Sequence, residues 1–326
     1  MLQPKLKNIL AIAYVLSLYL LGIVAILQQS WLLNTLGVVA ISHSLVISTG
    51  LTHEFIHGNI FKSRQLNVFG GKLMTCLNGA CYALWENLIE HHFHHHLHHT
   101  DVVRFDLVEH LNQEISPWQR QVYIVLEWLY FPVLEFELRW RIILDPLMTP
   151  TKRNLLGRTL GWAVLRTFAF GVLAWVSAKA LLLYFLAYIC FVNTNRFVDA
   201  FQHTYDYSIL GADFPQFDRT YEQKNTFSNL LSVKYPWLNL LFLNFGYHNA
   251  HHHHMSCPWH ELPALHHKLY GQSTHNLLPL GLSIFNYHRF RLARLFSGQG
   301  ELNANGELQL ASFTGGVAAS LLTPPY

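Results

Sequence analysis

Apolar residues in this chain come in four long blocks separated by polar stretches. Residues 9–27 run apolar without a charge, close to the roughly 20 residues a helix needs to cross the hydrocarbon core of a bilayer. Gln28-Gln29-Ser30 interrupts the run and residues 31–51 resume it, which predicts a helical hairpin that returns the chain to its starting side. Lys5 and Lys7 precede the first block and no small-residue cleavage site follows it, so it reads as a retained span and not as a removed signal. Residues 161–176 and 178–198 form a second pair, hinged near Ser177 and Lys179. Arg166 lies inside the third block; an arginine at a bilayer centre costs about 2.5–3.5 kcal/mol, so it is expected near the end of the span, where it can snorkel.

The stretches between the pairs are mixed. Residues 66–85 are apolar but broken by Gly70-Gly71, Lys72, Asn78 and Gly79, which suits a half-inserted or surface helix pair better than a full span. Residues 118–147 interleave Trp128, Tyr130, Phe131 and Trp140 with Glu127, Glu135, Glu137, Arg139 and Arg141, a pattern that fits a helix at the bilayer interface and equally a packed helix of a cap. Gly298 to Tyr326 is rich in small and polar residues and is expected to be a loosely ordered tail. The prediction is an all-α integral membrane protein with four transmembrane helices. Residues 1–297 form one domain whose cap comes from 52–160 and 199–297.

Composition agrees with that outline. Of 326 residues 51% are hydrophobic and 13% charged, about half the charged share of soluble domains, roughly 25%. The net charge of +3 comes without a basic cluster, which excludes nucleic acid as a partner class. Cys76, Cys81, Cys190 and Cys257 make no C-x-x-C pair and read as free thiols in a reducing compartment. Lys5, Lys7, Lys62, Arg64, Lys72, Arg104, Lys152 and Arg153 fall on segments that four spans put on one side, against Lys179 alone in the two opposite loops. By the positive-inside rule that side, with both termini, is cytoplasmic.

The chemistry sits in the histidines. His53-Glu54-Phe55-Ile56-His57, the run from His91 to His99, and His248-Asn249-Ala250-His251-His252-His253-His254 are three separate clusters, each just outside a predicted span or its cap. Positions i, i+3 and i+4 share a helix face, so H-x-x-x-H and H-x-x-H-H aim all their imidazoles at one point. His53 and His57 fit the first form, and His248, His251 and His252 the second. In the central run His91/His94/His95, His92/His95/His96 and His95/His98/His99 fit equally well. Imidazole suits zinc, copper, iron and nickel alike, but eight ligands exceed what a structural or a catalytic zinc takes and suffice for two metals. His43, inside the second block, is expected to be a neutral, hydrogen-bonded structural residue.

The order HEFIH, HFHHH, HNAHH, with two spans before the first box and two more before the third, resembles the membrane fatty acid desaturase family, as does Pro258-Trp259-His260-Glu261-Leu262-Pro263-Ala264-Leu265-His266 after the third box. The resemblance covers about residues 9–270. It implies a cytoplasmic helical cap holding two non-heme iron ions, O2 as co-substrate, a fatty acyl substrate in membrane lipid, and formation of a carbon–carbon double bond. The acidic segment Asp101 to Asp106, similar to one in some relatives, favours the register His92, His95 and His96. The family also supplies a histidine between the second and third boxes, here His203, in some members with an asparagine four residues earlier. That earlier position is Asp199, and on a continuing helix the two would share one face and both reach iron.

Rival readings follow from the same residues. His53-Glu54-x-x-His57 is literally the zinc-metalloprotease motif with Glu54 as general base, and a histidine-rich metal buffer would have a similar composition. The same scaffold also serves acetylenases, hydroxylases and 1-alkene-forming fatty acid decarboxylases, and fold does not choose among them. No G-x-G-x-x-G and no heme motif is present, so electrons are expected from an external donor of the ferredoxin, rubredoxin or cytochrome b5 type, docking near Lys62, Arg64 and Lys72.

Overall fold

The computed structural model describes residues 3–209, 213–214, 216–271, 273, 276–296, 309–317 and 322. Four of its helices are long and apolar enough to cross a membrane. Helix α1, Pro4–Ile26, starts with proline in its first turn, where no backbone donor is lost. Ser30 then caps α2, Trp31–Ile56, by accepting the Leu33 N–H. Two glycines let this hairpin close: a Cβ on Gly22 would lie 2.6 Å from Ile41 Cγ1, and one on Gly37 would lie 2.9 Å from the Gly22 carbonyl.

Helix α3, Arg64–Asn78, ends on Gly79 in the left-handed conformation, φ 88°. After one 3₁₀ turn the chain starts α4, Trp85–His98. The region expected to be a helix pair is therefore a single helix and a turn. Gly70 and Gly71 do not break it; they seat it, because a Cβ on Gly70 would overlap the Phe55 ring and one on Gly71 the Trp85 ring. The stretch 118–147 divides at Pro132 into α5, Pro117–Trp128, and α6, Val133–Met148. Its charges turn largely inward: Glu127 and Glu135 are buried, Arg196 meets Glu127 at 2.9 Å, and Arg139 meets Glu135 at 2.9 Å.

The second hairpin comprises α7, Leu156–Val176, and α8, Ala178–Asp199, with Ser177 accepting the Ala180 N–H at the start of α8. Arg166 lies midway along α7, and its Nη1 donates to the Cys76 carbonyl of α3 at 3.0 Å. Ala180 and Ala187 are buried where α8 crosses α2. At the end remote from the histidines, Lys179 Nζ donates to the Gln28 carbonyl at 2.5 Å and lies 3.5 Å from Asn34 Oδ1, tying one hairpin to the other. Trp175 is 87% exposed and Leu182 71%, an apolar periphery that a bilayer satisfies and water does not.

The polar end adds two short parallel strands, β1, Asp101–Val103, and β2, Tyr207–Ile209, with Asp101 opposite Tyr207. Four shorter helices follow: α9, Arg219–Lys224; α10, His248–His253; α11, Leu262–Tyr270; and α12, Leu280–Arg289. Residues 309–317, from the expected loose tail, are packed: Phe313 is 1% exposed and Asn286 Nδ2 donates to the Leu310 and Phe313 carbonyls at 2.9 and 3.0 Å. Residues 298–308, 318–321 and 323–326 of that tail lie outside the described residues.

Candidate metal centre

Helix α2 runs five residues beyond the expected end at residue 51, so His53 sits on its last turn and His57 caps it. Helix α4 faces that turn, and α10 closes the space between them. His53, His57, His92, His96 and His251 bring one nitrogen each to within 4.8 Å of one another; His95, His203, His248 and His252 do the same beside them. Nε2 of His57 lies 2.7 Å from Nε2 of His92, which lies 3.1 Å from Nε2 of His96, itself 3.1 Å from Nε2 of His251. In the second group His203 Nε2 lies 3.1 Å from His95 Nε2 and 2.7 Å from His248 Nε2. Neighbouring ligands held about 2.0–2.1 Å from one cation would stand roughly 3 Å apart, so these spacings suit two ions.

The remaining atoms agree. His53 Nε2 and His252 Nε2 are buried with no hydrogen-bond partner, a cost that a cation would remove. Burial first, then neighbouring imidazoles, holds His92, His96, His203, His248, His251 and His252 well below the usual histidine range, and His57 at about 3. These rings are neutral at pH 7, with lone pairs free for metal. At His95 burial pulls the same way, but the bond and charge of Asp101 outweigh it and raise the value.

Carboxylates orient the rings from behind, as is usual for metal-binding histidines. Asp101 Oδ1 meets His95 Nδ1 at 2.8 Å, placed there by the β1–β2 pairing. Glu222 Oε1 of α9 meets His252 Nδ1 at 3.1 Å and, with His96 and His252, forms a third, overlapping group. No spacing in the sequence marks Glu222; only the fold carries it to the third cluster.

Every histidine in the predicted set joins one of the first two groups, with His92, His95 and His96 as the central register. Of the other imidazoles of the run, His91 lines the cavity beside the two groups and the rest go elsewhere. His94 and His98 stack on Phe214 at 4.8 and 5.1 Å, and His99 Nδ1 reaches the Phe217 carbonyl at 3.0 Å. His253 and His254 are exposed. His43 bonds Tyr14 Oη at 2.8 Å and the Leu241 carbonyl at 2.9 Å, away from the centre.

Asp199 departs from expectation. Helix α8 ends on it, so His203 is not one helical turn further along the same face; it sits instead in a bridge to Thr226. Asp199 belongs to none of the ligand groups and lines the cavity in front of them. It does not pair with Arg196, which Glu127 holds. Glu54 is 2% exposed, and its Oε2 accepts the Trp259 N–H at 3.0 Å. Tied in this way and absent from the cavity lining, it is not placed as the general base of a protease. Trp259 is anchored further by its indole N–H, which donates to Asn8 Oδ1 at 2.9 Å.

The cavity against His53, His92, His95, His203 and His248 has a volume of about 210 Å³, with Val103, Phe105, Leu107, Val108 and Phe245 among its apolar walls. Asp199 and Phe245 also border a smaller cavity of about 70 Å³. Arg139 lines that one and also a third of about 330 Å³, walled by Phe136, Ile143, Phe170 and Phe185.

Residues 29–283 match the family model for fatty acid desaturase. No curated protein matches the chain.

Proposed function

Since the chain belongs to the fatty acid desaturase family, we propose that it is a membrane-bound di-iron oxidoreductase that uses O2 to remove two hydrogens from a fatty acyl chain and form a carbon–carbon double bond. The observation that carries this reading is the meeting of nine imidazoles in two adjoining groups at the wall of an apolar cavity. His53, His57, His92, His96 and His251 would hold one iron, and His95, His203, His248 and His252 the other. When bound, the iron pair supplies O2 reduction and an oxidant strong enough for an unactivated methylene.

The protein's part is placement. Asp101 and Glu222 fix the orientation and tautomer of His95 and His252 through Nδ1. Val103, Phe105 and Phe245 exclude water and hold an alkyl chain against the imidazole face, where alignment supplies much of the rate. The further cavities beside Phe245 and Arg139 offer room for the rest of an acyl chain. The centre and both termini lie on the cytoplasmic side, and two electrons per turnover arrive from a ferredoxin, rubredoxin or cytochrome b5. Lys62, Arg64 and Lys72, all exposed, offer that donor a basic landing.

Expression in a host with a suitable reductase, followed by mass spectrometry of lipids and volatiles, tests the reading. A new double bond at unchanged chain length is the expected result. A terminal alkene one carbon shorter would assign decarboxylation instead, and a hydroxy acid hydroxylation.

A further inference from the structure

Arg294 lies in the wall of the cavity that the histidines face. It is 7% exposed, and among the described residues no ion pair involves it. Its Nη2 donates to the Tyr287 carbonyl at 2.6 Å and its Nε lies 3.4 Å from the Phe290 carbonyl, so one edge of the guanidinium closes the end of α12. The plane stacks on the Tyr287 ring at 4.2 Å. Nη1 remains, buried and, among the described residues, without an acceptor. A buried cation with two idle N–H bonds is costly unless an anion joins it.

Three carboxylates share the cavity, and none is spare in the right way. Asp101 is engaged by His95 at 2.8 Å. Asp106 accepts the Glu109 N–H at 2.9 Å and the Tyr207 hydroxyl at 2.7 Å. Asp199 is not within ion-pair distance of Arg294. Gly315, Gly316 and Val317 cover the same end of the cavity, with the Gly316 N–H held by the Ala200 carbonyl at 2.7 Å. Gly315 has φ +75°, and a Cβ there would lie 2.9 Å from that carbonyl, so the cover sits tightly. Burial draws the guanidinium down to about 10, which leaves it charged at neutral pH.

We infer that Arg294 receives the carboxylate of an unesterified fatty acid, so that the substrate is the free acid and not a thioester or a glycerolipid. The inference rests on the fatty acyl reading above. A free carboxylate puts an anion directly on the end of the alkyl chain, and a guanidinium meets it through paired N–H···O bonds. A thioester or ester carbonyl offers no charge at that position. Because Arg294 and the histidines share one cavity, the carbons nearest the carboxylate are those that meet the metal centre.

Binding, measured apart from turnover, tests this. Lauric acid and methyl laurate are titrated against the metal-loaded protein in nanodiscs by displacement of a fluorescent alkyl probe. The wild type is expected to prefer the acid by about tenfold to a hundredfold, the worth of a hydrogen bond to a charged group. Arg294→Leu should abolish the preference while methyl laurate binds as before. Arg294→Lys keeps the charge and a donor for Tyr287, and should retain part of the preference even if the leucine variant fails to fold. Equal affinity of acid and ester in the wild type, or an intact preference in a folded Arg294→Leu protein, overturns the assignment. Product analysis gives a second arm: oxidation close to the carboxyl end is expected, and oxidation at mid-chain removes Arg294 as the anchor. If neither probe binds and neither is oxidised, the fatty acyl reading itself fails.

Discussion

His252 is held from one side and idle on the other: Nδ1 faces Glu222, while Nε2 is buried among its neighbours without a bond. Taking away one such ring leaves a group short of a donor that nothing nearby replaces. His53→Ala, His95→Ala and His252→Ala are each expected to lower bound iron, read by elemental analysis, and to end turnover. Glu222→Gln keeps every ring but weakens the hold on His252, and should cost about 10–100-fold in metal affinity or activity. His253→Ala and His254→Ala remove exposed rings and should leave iron in place. Asp199→Asn is expected to keep metal content as well, since Asp199 stands outside the ligand groups. The three boxes were legible because helical spacing alone aligns their rings. The register in the central run was not, since seven histidines admit three face patterns and the choice is made by which side of α4 meets α2 and α10. That Asp199 and His203 do not share one continuing helix was not legible either, because nothing in Asn193 to His203 marks where α8 stops.

At the scale of elements, glycine decides how closely helices approach. Gly71→Leu would drive a side chain into the Trp85 ring. Overpacking of this kind typically costs about 1–3 kcal/mol, here with added displacement of α4 and its histidines. Gly161, on α7, has nothing within 4 Å of a Cβ, so Gly161→Ala should be neutral or gain about 0.5–1 kcal/mol from helix propensity. Thermal unfolding in detergent should show a clear drop for the first and a small rise or no change for the second. From the sequence Gly70 and Gly71 read only as interruptions of an apolar run, because composition does not reveal which aromatic ring will lie across them. The four spans, by contrast, were readable to within a few residues at most ends, since length and hydropathy are local properties.

For the whole molecule, the helix directions put the hairpin loops at Gln29 and Ser177 on one side and every histidine of the two groups on the other. Gln29→Cys, in a background where the exposed Cys190 is replaced by serine, should react with an impermeant maleimide only from outside the cell; reaction from the cytoplasmic face would invert the topology. The centre itself is assembled from distant parts of the chain, since His53 and His251 share one group while α2 and α10 are far apart in sequence. At a synthesis rate of about 5–20 residues per second, roughly 10–40 s separate the emergence of those two imidazoles from the ribosome. During that interval the first hairpin is already made and its histidines have no partners from α10. Under the di-iron reading, loading with metal is therefore a late event in the life of each polypeptide, and iron starvation is expected to leave inserted, full-length, empty protein and not stalled fragments.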